Sequence, residues 1–167
     1  LQYPIKGILG LIETEQFVIP EIQRPFVWKR KQVRDLIDSL YTGYPTGYLI
    51  ISQNPDMKLK DGSLSVGKKV MIDGQQRTTA MMTAIAGLEV IMDDFSKKRI
   101  KIAFNPLLPE DSEEERFKVQ DNAVLRDKRW ISDISEIFDT NFNLWDYSAK
   151  YAEENPGISG SQISAAI

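Results

Sequence analysis

Lys69-Val70-Met71-Ile72-Asp73-Gly74-Gln75-Gln76-Arg77-Thr78-Thr79 reads as a strand that breaks at an Asp-Gly pair and turns into a helix, and the rest of the chain is read outward from it. A glycine at position 74 permits close backbone approach to a ligand, and the N–H groups that open the following helix have no partner within it. Anions bind readily at such a place. Arg77 adds a permanently charged, bidentate donor suited to phosphate, and Thr78 or Thr79 can donate hydroxyl bonds to the same group. Gln75 and Gln76 bring uncharged donors and acceptors together, as a nucleobase edge, a sugar or a positioned water requires. Asp73 can hold a divalent metal through phosphate or cap the helix start. The plainer alternative is an Asp cap, a glycine turn and two solvated glutamines, and local physics leaves both open. No glycine-rich stretch ends in Gly-Lys-Ser/Thr, so a nucleotide site here is not a Walker loop.

Before this turn, Ile5, Ile8, Leu9 and Ile12 fall at helical spacing, and Phe17-Val18-Ile19 reads as a short strand closed by Pro20. Gln23-Arg24-Pro25-Phe26-Val27-Trp28 is an extended aromatic segment, because Pro25 pushes Arg24 out of helical backbone space. A charged fork and an amide beside flat apolar rings suit a nucleotide, while the aromatics taken alone read rather as core anchors. From Trp28 to about Tyr41, Val33, Leu36, Ile37 and Leu40 form one apolar stripe that Gly43 and Pro45 end. Tyr48-Leu49-Ile50-Ile51 reads as a buried strand, and residues 53–67 as a polar hairpin or loop. After the turn, Ala80 to about Met92 is apolar on nearly all sides and predicts a central buried helix. Arg99 to Phe104 and Arg116 to Gln120 read as strands, Ile131 to Phe138 and Leu144 to Tyr151 as short helices. This is α with β in one domain.

The chain has 167 residues, neither cysteine nor histidine, and a net charge of −3 from 21 Lys+Arg against 24 Asp+Glu. Thiol chemistry, histidine proton shuttling and histidine–cysteine zinc sites are excluded within it. No apolar run approaches the roughly 20 residues that span a bilayer, and a cytoplasmic location is expected. The charge is uneven: residues 1–104 hold 15 basic and 11 acidic side chains, residues 105–167 hold 6 and 13. Lys29, Arg30, Lys31 and Arg34 form the densest basic cluster, a candidate nucleic-acid contact, followed by Lys97, Lys98 and Arg99. Glu110, Asp111, Glu113, Glu114 and Glu115 form an acidic run. The plainer reading of each cluster, a solvated face, is the preferred one.

Ile19-Pro20, the Gln23 to Trp28 string and Ile72 to Thr79 together resemble the N-terminal domain of the GmrSD-type restriction endonuclease family. Ala103-Phe104-Asn105-Pro106, Phe117-Lys118-Val119, Trp130-Ile131 and Ile137-Phe138 extend the resemblance weakly. It covers about residues 3–142, within one domain expected over 1–142, with 143–167 expected to begin a following helical segment that is cut short. Thr78 departs from it, since leucine more often follows the arginine. The resemblance implies an α+β fold similar to the ParB and sulfiredoxin domains, a small mixed sheet surrounded by helices, and NTP binding and hydrolysis coupled to restriction of foreign, often modified, DNA. Sulfiredoxin chemistry itself cannot operate without its cysteine. The implied site joins Asp73, Gly74, Gln75, Gln76, Arg77 and Thr78 with Gln23 and Arg24. Arg77 and Arg24 would neutralise phosphate, Gln75 or Gln76 would orient water, and Asp73 would hold magnesium or polarise that water. DNA cutting would fall to a nuclease domain in the same chain or to a nuclease subunit. A DNA-binding module, with Trp28 stacking a base, and a non-catalytic interaction domain are the competing readings.

Overall fold

The apolar run Val70-Met71-Ile72 forms a strand, β3 (Lys69–Asp73), whose Val70 and Met71 are fully buried while Ile72 and Asp73 reach the surface. It is the middle strand of a three-stranded mixed sheet, parallel to β1 (Phe17–Val18) and antiparallel to β2 (Ile50–Ser52). The register sets Ile50 opposite Asp73, with an irregularity between Ile50 and Ile51. The computed structural model describes residues 3–18, 25–53, 59, 62–109 and 111–167. Ile19, Pro20, Gln23, Arg24 and Glu110 lie outside the described residues, as does much of the 53–67 loop.

Helix α1 (Ile5–Glu13) leads into β1, α2 (Arg30–Tyr41) stands between β1 and β2, and α3 (Gln75–Ala84) follows β3 after one residue. Two antiparallel ladders come next, β4 (Val90–Ile91) with β5 (Lys97–Lys98) and β6 (Ile102–Phe104) with β7 (Phe117–Val119). Four short helices finish the chain: α4 (Asn122–Arg126), α5 (Ser135–Phe138), α6 (Leu144–Glu154) and α7 (Gly160–Ala166). The class is α+β, with small mixed and antiparallel sheets.

Helix α2 buries the predicted stripe, Val33, Leu36 and Ile37, against α3 and β7. Buried Ala80, Met81 and Ala84 of α3 join the same core as Ile102, Phe104, Phe117 and Ile131. Tyr151 and Ile163 belong to it too, and the Tyr151 hydroxyl donates to the carbonyl of Arg129 at 2.7 Å. Residues 143–167 therefore fold back on the core formed by the preceding chain. Among the described residues no helix is long and apolar enough to cross a membrane.

Three expectations are corrected. The central helix begins at Gln75 and stops at Ala84, because Gly87 takes a left-handed φ of +69° and the β-branched pair Val90-Ile91 finds a ladder partner in Lys97-Lys98. The segment 48–51 is no buried strand: Tyr48, 87% exposed, precedes β2, and Ile50 at the start of that strand is 53% exposed because no element among the described residues covers its face. Ile131 is bridged to Phe104 as extended chain, and helix begins only at Ser135. Helices α4 and α7 carried readable signals, the Asp121 carboxylate capping the Ala123 and Val124 amides and the capping box of Ser159 with Gln162.

Candidate functional site

The Asp-Gly break works as the sequence suggests, with a different residue in the capping place. Gly74 is the N-cap, at φ +91°, and offers no side chain to the amides of Gln75, Gln76 and Arg77. Those first amides have no carbonyl within the helix to bond. A Cβ at Gly74 would collide with the Leu49 side chain and stand 3.4 Å from the Tyr48 carbonyl, so the turn is pressed against residues 48–49. Asp73 does not cap the helix: its Oδ2 accepts from Arg77 Nη2 at 3.3 Å, one turn along.

The two glutamines are not solvated either. Gln75 Nε2 donates to the Met71 carbonyl at 3.0 Å. Gln76 reaches across to the aromatic segment, donating from Nε2 to the Pro25 carbonyl at 3.2 Å and accepting at Oε1 from the Val27 amide at 3.1 Å. Arg77 points to the other side, where Nη1 donates to the Thr46 carbonyl and Nη2 to the Tyr48 carbonyl at 2.8 Å. Consecutive residues of the helix start thus hold two separate stretches of backbone. Trp28, Ile72 and the run from Asp73 to Arg77 line an open cleft of about 410 Å³. Tyr48 and Gly47, which meet the Arg77 guanidinium, are the residues that the sequence reading missed. Their only signal is the pattern Gly43-Tyr44-Pro45-Thr46-Gly47-Tyr48, and a Cβ at Gly47 would run into the Arg77 guanidinium.

Thr78 does not reach the cleft. It is fully buried and its hydroxyl donates to the Met71 sulfur at 3.2 Å, because one residue of α-helix turns it about 100° away from Arg77 and into the core. Arg34 likewise leaves the basic cluster. Only 8% exposed, it pairs with Asp35 at 2.7 Å and Glu115 at 2.5 Å and donates to the Phe117 carbonyl, so it fastens α2 to β7 and has no open face for a nucleic acid. Its hydrogen bond holds the Glu115 carboxyl below the ordinary carboxylate range. Lys29, Arg30 and Lys31 stay exposed beside Trp28. In the second basic cluster Lys98 pairs with Asp94 and Arg99 with buried Asp133, leaving Lys97 exposed. Gln23 and Arg24, outside the described residues, directly precede Pro25 in the chain.

Asp73 is part of no three-ligand cation site, for among the described residues no three of Asp, Glu, His or Cys stand together as one. One exposed carboxylate fits an ion delivered with a phosphate ligand and does not fit an ion held by protein alone.

None of the curated proteins matches this chain. A family model described as the GmrSD restriction endonuclease, N-terminal domain, matches residues 5–159, taking in the strand–turn–helix, the aromatic segment it clasps and the helix α6 that closes the core. With that span, the chain belongs to the family of GmrSD restriction endonuclease N-terminal domains.

Proposed function

We propose that the cleft binds a nucleoside triphosphate and hydrolyses it, and that this reaction governs restriction of foreign or modified DNA by a nuclease domain in the same chain or in a partner subunit. The observation that carries the reading is the uncapped start of α3 opening into a cleft with Trp28 on its rim. Free amides and the positive end of the helix dipole favour a phosphate, and a flat indole suits a base. Arg77 uses three of its five N–H donors on Thr46, Tyr48 and Asp73, and the remainder can meet phosphate oxygens. Because Gln75 spends only its donor nitrogen on Met71, its Oε1 is left to orient water. Magnesium, arriving on the phosphates with Asp73 as its single protein carboxylate, would neutralise part of their charge. Gln23 and Arg24, which the family resemblance adds to the site, directly precede Pro25 in the chain, and Gln76 holds Pro25.

Thermal unfolding with a panel of NTPs and magnesium tests binding. A ligand at a hundred times its dissociation constant adds about 2.7 kcal/mol, and a flat response to every nucleotide would refute the proposal. Arg77→Ala is expected to abolish NTP hydrolysis by the intact protein; activity that survives it would remove Arg77 from the site. DNA contact, the second reading, is favoured by the exposed Lys29, Arg30 and Lys31 beside Trp28. Reversing these three charges should weaken DNA affinity and flatten its salt dependence.

A further inference from the structure

We infer that Gln76 is a positioning residue whose side-chain amide takes the place of a β-strand partner and fixes the Trp28 wall of the cleft. Its effect on nucleotide handling rests on the function proposed above; the clamp itself does not. Pro25 and Val27 are two apart on an extended segment, so the Pro25 carbonyl and the Val27 amide face the same edge, as the two groups of a ladder residue's neighbours do. Gln76 meets both, acceptor to donor and donor to acceptor, at 3.1 and 3.2 Å. The amide can sit only one way round, because a flip would set nitrogen against N–H and oxygen against carbonyl.

The opposite edge of the same segment is taken by β4. Phe26 donates its amide to the Ile91 carbonyl at 3.1 Å and pairs in parallel with Met92. Residues 25–27 are therefore a short strand gripped from both sides, by backbone on one and by a single side chain on the other. Trp28 follows immediately, packed against the core and 6.5 Å from the Phe26 ring, so the clamp sets where the indole stands relative to the start of α3. Both polar atoms of Gln76 are engaged in this task. The neighbouring glutamine, turned about 100° round the helix, keeps its oxygen free. Two adjacent glutamines thus divide the work, Gln76 holding a wall and Gln75 facing the reaction.

Two variants of the intact protein test this. Gln76→Met keeps the shape and removes both hydrogen bonds. Gln76→Glu keeps an acceptor for Val27 and sets its second oxygen against the Pro25 carbonyl. In Gln76→Met the Val27 amide should exchange with deuterium about tenfold faster, the scale of one lost hydrogen bond, and the KM for NTP should rise several-fold with a smaller change in kcat. Gln76→Glu should restore protection at Val27 while KM stays raised. Unchanged Val27 exchange in Gln76→Met would overturn the clamp, and so would loss of kcat at wild-type KM in either variant, which would make Gln76 catalytic. Should Gln76→Met fail to fold, Gln76→Glu decides through its kinetics: a raised KM at near wild-type kcat supports the positioning role, and a wild-type KM overturns it. If the wild-type protein hydrolyses no NTP, the nucleotide reading falls, and Val27 exchange still decides the clamp.

Discussion

Gly74 and Thr78 show how much a single position can decide here. Gly74 stands in left-handed space with Leu49 and the Tyr48 carbonyl pressed against the place of a Cβ, so Gly74→Ala meets both backbone strain and a collision. Strain of this type costs about 1–3 kcal/mol, and urea denaturation should show a loss of at least that size. Thr78 is the converse, a polar residue in a phosphate-like motif whose hydroxyl serves the core. Thr78→Val should change stability by about 1 kcal/mol, the scale of one hydrogen bond. Nucleotide titration should return the wild-type affinity, and a large loss would put the hydroxyl back at the ligand.

Among the elements, α2 has a divided basic cluster. Lys29, Arg30 and Lys31 are open to solvent, whereas Arg34, one turn on, is drawn under Glu115 and the Phe117 carbonyl. The pairing carries a pH signature. In the folded chain the Glu115 carboxyl titrates below its ordinary value of 4.5, so the stabilisation is complete above about pH 4.5 and is lost as pH falls through the depressed folded value. Glu115→Gln should therefore flatten the acid side of a stability-versus-pH curve and lower stability at neutral pH. An acid limb identical to the wild type would remove Glu115 from the account. Helix α3 is the other decisive element: its first turn faces the cleft, while Ala80, Met81, Thr83 and Ala84 face the core.

For the molecule as a whole, the core formed by α2, α3 and the β6–β7 ladder is closed by the last two helices. Ile163 is fully buried and Asn155 donates to the Lys128 carbonyl at 2.9 Å. Ile163→Ala should cost about 2–5 kcal/mol by equilibrium denaturation, the range for emptying a buried isoleucine site. A change near zero would mean that α7 does not close the core. The strand–turn–helix, α1 and α2 were legible because each is specified by residues within one or two turns of one another: the Ile5 to Ile12 spacing, the Val33 to Leu40 stripe, the Asp-Gly break. The end of the central helix was misread, since Leu88 to Met92 is as apolar as the helix before it and only pairing with Lys97-Lys98 makes it strand.

The sequence by itself determined the class, the family and the turn that carries the candidate site, because hydrophobic period, glycine placement and residue type are local properties. Tertiary structure decided the direction in which each polar side chain of that turn points. Asp73 to Thr78 read as one uniform phosphate-facing set, yet about 100° of rotation per helical residue sends Gln76 to Pro25 and Val27, Arg77 to Thr46 and Tyr48, and Thr78 into the core. Their partners lie 7 to 51 residues away along the chain, and only packing brings them within reach.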